Sequence, residues 1–204
     1  VFVDFRFTDP RGKWQHTTYM ANKVDADSFQ DGIMFDGSSI AGWKSINESD
    51  MILMPDTSSA FMDPFTAQPT MVITCDVLEP STGQSYGRDP RSTARKAEAY
   101  LQYTGIGDAA YFGPELEFFM FDDVKFDHTM FSSFYHLESE ENPTNSGKSY
   151  PHGNLGHRPG VKGGYFPVAP VDSGVDIRGE MLTTLAEVGI TPVLGHHEVA
   201  PSQH

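Results

Sequence analysis

The chain begins VFVDFRFTDPRGKWQHTTYM (Val1–Met20), and this stretch predicts how its N-terminal part is built. In the first seven residues, aromatic and β-branched side chains alternate with Asp4 and Arg6, which is the period of a half-buried strand. A proline and a glycine follow in the string TDPRGK, which is typical of a turn. Residues 14–20 then have the composition of a second strand, so the stretch predicts a β-hairpin.

Further strands are predicted on the C-terminal side of this hairpin. Asp25 or Asp27 can cap a short helical turn, which Gly32 would close. The strings MILMPD (51–56) and TMVITCDVL (70–78) are apolar and short enough for strands. The first 80 residues or so therefore predict a small sheet-rich domain.

The rest of the chain alternates helical and strand-like patterns. Asp89 followed by Pro90 is a strong start signal for a helix, and Gly105 is a stop signal. The predicted elements are, in order, this helix, a strand at 110–121, a long polar loop at 124–164, a strand entering a turn at 165–172, a helix at 175–188 and a final strand at 190–200.

Composition limits the classes of partner. Among 204 residues, 28 are acidic and 14 are basic, which gives a formal net charge of −14. Nucleic-acid binding needs a surplus of Lys and Arg, so this balance argues against a nucleic-acid partner and suits a protein that captures cations. No apolar run approaches the roughly 20 residues that span a bilayer, so no membrane partner is expected.

The single cysteine, Cys75, lies within the apolar run 70–78. It cannot form an internal disulfide, and its surroundings predict a buried, reduced thiol. This favours a cytoplasmic protein. The chain starts with Val1 in a strand-like pattern, which suggests a segment whose beginning is missing.

Two carboxylates stand in the aromatic string GPELEFFMFD (113–122). On a strand, Glu115 and Glu117 would project from one face while Leu116 and Phe118 project from the other. Like charges so close together resist ionisation unless a cation or strong donors lie between them. The string is too apolar to predict a solvated edge, so we expect a divalent metal ion at these glutamates.

A third acidic candidate, Glu198, follows His196 and His197 near the end of the chain. On a strand His196 and Glu198 would share a face and His197 would point away from it. The string lacks the i, i+4 pairing of helical zinc proteases, which disfavours that chemistry.

The string FDGSSIAGW (35–43) permits two interpretations. Its composition is typical of an ordinary turn. It also suits a long exposed loop, with Asp36, Ser38, Ser39 and Trp43 at the surface, that is donated to an interface. No P-loop string occurs in the chain.

Together these strings resemble the glutamine synthetase family of the bacterial type I class. The matching strings are MFDGSSIAGWKSINESDMILMPD, GPELEFFMFDD, KGGYFPVAPVD and HHEVAPSQH, which occur in the family's order along essentially the whole chain. The resemblance implies an α+β protein. A small β-grasp-like N-terminal domain at 1–83 would precede the start of an antiparallel-sheet α/β catalytic domain at 84–204, incomplete at its C-terminal end.

The resemblance also implies an activity. Family members use ATP to join ammonia to L-glutamate through a γ-glutamyl phosphate, giving L-glutamine for nitrogen assimilation. Glu115 and Glu117 match ligands to two separate divalent cations, Mg²⁺ or Mn²⁺, and Glu198 matches a further ligand to the second cation. One cation would steady the ATP phosphates, and the other would help to seat glutamate.

Four other residues match the family's site. Asp36 matches a residue that reaches the neighbouring subunit's site, binds ammonium and takes its proton, and Ser39 matches a companion on the same loop. Gly113 and Tyr165 match residues that line the site. Active sites shared between neighbours imply a ring, and the family's usual form is a dodecamer of two stacked six-membered rings.

Two departures from the family pattern leave alternatives open. The chain ends at His204, where the family continues with a further metal-binding glutamate, so this segment alone should be inactive. Val193 stands where the family usually has an acidic nucleotide contact. The alternatives are a γ-glutamyl-amine ligase of the same superfamily and an inactive, ring-forming paralogue.

Overall fold

A computed structural model describes residues 1–142 and 158–204 of the chain. These residues form two compact units, Val1–Phe112 and Gly113–His204. Within the described ranges, none of the helices combines the length and the hydrophobicity of a membrane span.

The first unit is built on a six-stranded sheet. The order of its main strands is β2-β1-β6-β4-β3, and β5 also pairs with β6. β1 runs parallel to β6, and the other pairs are antiparallel. The strands are β1 (Phe2–Thr8), β2 (Trp14–Met20), β3 (Ile33–Asp36), β4 (Asp50–Pro55), β5 (Phe61–Met62) and β6 (Thr70–Leu78).

The predicted hairpin is confirmed. Phe2 lies opposite Met20 and Thr8 lies opposite Trp14 in an antiparallel ladder. Alternation along β1, β4 and β6 directs every second side chain into one core, because successive strand residues face opposite sides. The core side chains of these three strands include Val3, Phe5, Phe7, Met51, Leu53, Ile73, Cys75 and Val77.

Two helices belong to the same unit. The short helix α1 (Ala26–Gln30) begins at Asp25, whose side chain accepts a hydrogen bond from Ser28 N. The longer helix α2 (Pro90–Thr104) ends at Gly105, which has the left-handed φ of 69°. Both predicted caps are confirmed. Single 3₁₀ turns occur at Ala21–Lys23, Gly37–Ser39, Ile46–Glu48 and Thr57–Ser59.

The prediction that Trp43 is exposed is wrong. Only 6% of the residue is accessible to solvent. Its ring centroid lies 5.5 Å from that of Phe7, 6.1 Å from that of Phe35 and 5.4 Å from that of Tyr86. An indole buries a large apolar area, so the loop folds back to place Trp43 in the core.

The described part of the second unit contains a hairpin and one helix. The strands β7 (Asp123–His128) and β8 (Ser133–Glu138) are antiparallel, and α3 (Val175–Glu187) confirms the helix predicted there. The hairpin corrects the prediction of a loop at 124–164, because its residues alternate like strands and Thr129 and Ser132 close a turn. The remainder of that predicted loop at 143–157 lies outside the described residues.

Three other predicted strands are not formed in full. Residues 165–172 contain turns, residues 190–200 form no strand, and the predicted strand at 110–121 is reduced to a short contact with residues 202–204. Phe118 and His204 exchange backbone hydrogen bonds of 2.9 Å, and Met120 N donates to Ser202 O. A strand is defined by the ladder it shares with a partner, and within the described ranges residues 110–117 have no such partner.

Candidate functional site

Asp36 lies at the surface of the first unit, at the end of β3. Its Oδ1 accepts a 2.8 Å hydrogen bond from Ser38 N. Hydrogen bonds from the Ser38 hydroxyl and backbone lower the pKa of Asp36, so its carboxylate is ionised at neutral pH. Gly37 N donates to Ser49 O, which fastens the turn to the neighbouring chain segment. Ser39 is exposed at the end of this turn. The loop therefore presents a charged oxygen and a hydroxyl to solvent.

Glu115 and Glu117 lie in the second unit and are exposed. Leu116, between them, is 85% exposed, so the expectation that this string avoids solvent is wrong for the described chain. The physical reason is that residues 110–117 pair with no strand in the described ranges, so no neighbouring strand covers their side chains. Glu117 Oε2 accepts a 2.9 Å hydrogen bond from Gln203 Nε2. Neither oxygen of Glu115 has a hydrogen-bond partner among the described residues.

Glu198 is half-buried on a turn that ends at Gln203. Its backbone N donates to Gln203 O at 2.7 Å, and its Oε2 accepts from Val199 N at 3.1 Å. His196 Nδ1 lies 3.5 Å from Glu198 Oε1. Because Gln203 also bonds Glu117, the structure links two of the three predicted metal ligands through one glutamine residue.

The residues around this turn crowd its backbone. Gly164 N donates to Val199 O at 3.0 Å, and a Cβ on Gly164 would lie 2.5 Å from Glu198 O. Only glycine fits such a close approach. The adjacent Tyr165 stacks on Phe166, with ring centroids 4.1 Å apart, and its edge-on neighbour is the imidazole of His196.

The other two positions singled out from the sequence show no comparable contacts. Gly113 is exposed, and a Cβ there would meet no atom within 4 Å. Val193 is 91% exposed. That Gly113 lines the site stays a prediction, and so does the loss of the family's acidic nucleotide contact at Val193.

A buried polar cluster lies behind the Glu198 turn. Glu141, His197 and His204 are the one group of three potential ligand side chains in the described ranges whose ligand atoms all lie within 4.8 Å of one another. Glu141 is 3% exposed. Its Oε1 accepts hydrogen bonds from Ser173 N and Oγ, and its Oε2 accepts from His197 Nε2 and Ser202 N, both at 2.7 Å.

These bonds determine the charges in the cluster. Burial acts to raise the pKa of Glu141, but hydrogen bonds from Ser173, His197 and Ser202, with the charge of His197, lower it below its usual value. His197 Nδ1 lies 2.7 Å from Glu198 O, which is also an acceptor. Both ring nitrogens of His197 must therefore donate, so a buried imidazolium faces a buried carboxylate.

His204, unlike His197, is neutral and accepts a hydrogen bond. Arg178 donates to His204 Nδ1 at 2.6 Å, so that nitrogen is an acceptor and the ring is neutral. Burial lowers the pKa of His204, which agrees with the neutral form. Asp172 bonds both terminal nitrogens of Arg178. His204 Nε2 is buried and has no partner within residues 1–142 and 158–204.

The cluster is consequently unsuited to a metal ion. A metal ligand needs an unprotonated nitrogen, but His197 donates from both nitrogens and the lone pair of His204 Nδ1 is taken by Arg178. Both oxygens of Glu141 already accept two hydrogen bonds each. We interpret the cluster as a hydrogen-bonded support for the Glu198 turn.

Sequence reasoning missed this support. Glu141 stands in the acidic string ESEEN, which resembles solvated surface, and Arg178 stands on a helix. No pattern in the sequence predicts that Glu141 and Arg178 lie near His204, because these residues are far apart in the chain. The one available signal was the pair of histidines before Glu198.

Two family models match the chain. The model described as glutamine synthetase, beta-grasp domain, matches residues 1–80, and the model described as glutamine synthetase, catalytic domain, matches residues 87–204.

Two relatives and one solved structure extend this likeness. A glutamine synthetase of Azospirillum brasilense is 64% identical, and one of Rhizobium meliloti is 62% identical, each over the whole chain and 43% of the relative. The chain thus spans less than half the length of these relatives. A cryoEM structure of Plasmodium falciparum glutamine synthetase shares the fold with a TM-score of 0.83 at 24% identity, covering 100% of this chain and 40% of that one.

Proposed function

Because the chain belongs to the glutamine synthetase family, we propose that it is part of an ATP-dependent ligase that condenses ammonia with L-glutamate to give L-glutamine. The reaction would proceed through a γ-glutamyl phosphate and serve nitrogen assimilation. The observation that best supports this assignment is the linkage of Glu117 to the Glu198 turn through Gln203, because it brings together two chain segments, far apart in sequence, that carry candidate metal ligands.

The donor set fits divalent cations such as Mg²⁺ or Mn²⁺. These ions prefer oxygen ligands, and Glu115, Glu117 and Glu198 each have an oxygen that accepts no hydrogen bond from a described residue. We assign Glu115 and Glu117 to two separate cations and Glu198 to the second of them, as the family resemblance implies. When bound, such cations neutralise charge on the transferring phosphoryl group.

Asp36 and Ser39 would act at the neighbouring subunit's site, where Asp36 binds ammonium and takes its proton. A carboxylate is suited to this role when it is ionised and able to reach the nitrogen. The exposed, ionised carboxylate of Asp36 supports the assignment. Sites shared in this way require an oligomeric ring, for which we propose a dodecamer. Gly113 and Tyr165 would line the ATP and substrate pocket.

We also propose a domain boundary at residues 83–84 and a cytoplasmic location. The boundary falls in the interval between the two matched ranges, 1–80 and 87–204. It differs from the division into compact units after Phe112 because α2 lies in the second matched range but in the first compact unit. Burial raises the pKa of the Cys75 thiol to about 12, and a free, buried thiol is in keeping with a reducing compartment.

The test is Glu117→Gln in the full-length protein. We expect manganese-supported glutamine formation to be abolished, because the amide removes the charge that attracts the cation, while the oligomer still assembles. Glu187→Gln, at an exposed glutamate of α3, is the matched control and should retain activity. Undiminished glutamine formation by Glu117→Gln would overturn the assignment of that residue, and a wild-type protein that makes no glutamine would overturn the function.

A further inference from the structure

We propose that Glu141 is a positioning residue that holds Glu117 and Glu198 in register for the cations. This inference rests on the proposed function. Glu141 touches neither carboxylate, and it acts through His197 and the backbone of residues 198–204.

The first connection runs from Glu141 to Glu198. Glu141 Oε2 accepts from His197 Nε2 at 2.7 Å, and His197 Nδ1 donates to Glu198 O at 2.7 Å. A flat imidazole bonded at both ends fixes the distance between the buried carboxylate and the Glu198 backbone. Gly164 packs against the same carbonyl and ring, so the ring has no space to turn away.

The second connection runs from Glu141 to Glu117. Glu141 Oε2 also accepts from Ser202 N at 2.7 Å, and Ser202 O accepts from Met120 N at 2.9 Å. One residue further along, Gln203 Nε2 donates to Glu117 Oε2. The same carboxylate oxygen therefore sets the position of the segment that carries Glu198 and of the segment that pairs with residues 118–120.

The other oxygen anchors this arrangement to the rest of the second unit. Glu141 Oε1 accepts from Ser173 N at 3.2 Å and Ser173 Oγ at 2.7 Å, next to the Asp172–Arg178 ion pair. The two oxygens thus have separable tasks: Oε1 holds Glu141 in place, and Oε2 holds the two ligand segments.

Removing the charge at Glu141 should loosen the ligands without removing any of them. An amide at this position must turn a donor toward one of the present donors, so at least one of the bonds to Ser173, His197 and Ser202 is lost. The amide oxygen is a weaker partner for the imidazolium than a carboxylate, so the bond to His197 weakens in either orientation. Groups that orient metal ligands commonly change metal affinity 10–100-fold when they are mutated.

The experiment compares Glu141→Gln with wild type in the full-length protein. Binding of Mn²⁺ alone is measured by electron paramagnetic resonance, and glutamine formation is measured against Mn²⁺ concentration. We expect the Mn²⁺ dissociation constant and the activating concentration to rise about tenfold. We expect kcat at saturating Mn²⁺ to stay within a few-fold of wild type, because the ligands themselves are intact. Unchanged Mn²⁺ binding by a folded Glu141→Gln protein overturns the proposal.

Two further variants keep the test decisive. Ser173→Ala removes one of the two bonds to Oε1 and leaves both bonds to Oε2, so it should weaken Mn²⁺ binding less than Glu141→Gln does. If Glu141→Gln fails to assemble, His197→Gln replaces it, since its amide reaches Glu141 but not Glu198 O. Weaker Mn²⁺ binding by that variant supports the proposal, and wild-type binding overturns it. Because Mn²⁺ binding is read without turnover, failure of the ligase assignment would show separately, as absent glutamine formation by wild type.

Discussion

Asp4 illustrates how a single buried side chain acquires its properties from a neighbouring strand. It lies on β1, on the face opposite the apolar core, and is 3% exposed. Its carboxylate accepts hydrogen bonds from Arg6 Nε at 2.8 Å and from His16 Nδ1 and Thr18 Oγ1 at 2.6 Å. Burial acts to raise the pKa of Asp4, but these three bonds outweigh it and lower the pKa.

The lowered pKa predicts a loss of stability in acid. The ionised carboxylate stabilises the fold fully above the unfolded-state pKa of about 3.9, and this contribution is lost as the pH falls through the lower folded-state value. The melting temperature of the full-length protein should therefore decrease when the pH is lowered below about 4, and the decrease should be smaller for Asp4→Asn. Asp31→Asn removes an exposed aspartate and serves as the control. Its melting temperature should show the same pH dependence as that of wild type. Equal pH dependence of Asp4→Asn and wild type would contradict the argument.

Gly12 and Gly32 have nearly the same backbone conformation but different surroundings. Substituting each by alanine therefore distinguishes the cost of backbone strain from the cost of a steric clash. Gly12 has φ of 82° and open space where a Cβ would lie, whereas Gly32 has φ of 80° and a Cβ position 2.8 Å from Leu53 O. Gly12→Ala should lower the free energy of unfolding by about 1 kcal/mol, because an L side chain is strained there. Gly32→Ala should cost about 1–3 kcal/mol more, because backbone must move. Chemical denaturation measures the free energy of unfolding of both variants. Equal decreases would mean that the backbone near Gly32 and Leu53 can move at little cost.

At the scale of the element, α2 is fixed to the sheet at its N-terminus. The Asp89 side chain is fully buried and accepts from Arg91 N, Ser92 N and Ser92 Oγ, and from Val77 N of β6. Arg91 pairs with both Asp56 and Asp76. The cap thus belongs to the helix and to the sheet at once.

Asp89→Ala should consequently destabilise the protein more than an ordinary cap mutation does. We expect a loss of about 2–4 kcal/mol in the free energy of unfolding, because buried donors on two elements lose their acceptor. Asp25→Ala removes the exposed cap of α1 and should cost about 1 kcal/mol or less. Denaturant unfolding monitored by tryptophan fluorescence compares the two. Similar losses would show that the bond to β6 contributes nothing.

Strands that lack a partner mark the limit of element-scale reasoning. Residues 110–121 have strand composition, yet a short ladder with residues 202–204 is the extent of their pairing in the described chain. Hydrogen bonds in a helix are local, so α2 and α3 follow from their own sequence. Hydrogen bonds in a sheet depend on a second segment, and the string at 110–121 does not specify which one.

At the scale of the whole molecule, the proposed site needs residues from two subunits. If Asp36 serves the neighbouring subunit, two inactive variants can complement each other. A ring assembled from equal amounts of Asp36→Ala and Glu117→Gln subunits would contain some interfaces with intact Asp36 on one side and intact Glu117 on the other. For random mixing these are about a quarter of all interfaces.

We therefore expect coexpressed Asp36→Ala and Glu117→Gln subunits to regain about a quarter of the wild-type rate of glutamine formation. Each variant alone should be inactive. The control is to mix the two purified oligomers without exchanging subunits, which should give no recovery. No recovery in coassembled rings would show that Asp36 acts within its own subunit.

The sequence by itself determined the β1–β2 hairpin, the helices α2 and α3, the caps of α2 and the family, because each depends on local periodicity or on strings read in order. Tertiary structure alone decided that Trp43 enters the core, that residues 124–138 contain a hairpin, and that Glu141, Arg178 and His204 meet behind Glu198. The first and the third of these outcomes depend on contacts between segments far apart in the chain, whereas the hairpin pairs neighbouring strands that are mostly exposed. Glu141 lies in an acidic string typical of a protein surface, yet it is buried and accepts hydrogen bonds from Ser173, His197 and Ser202. Contacts of this kind produce no periodic pattern in the sequence.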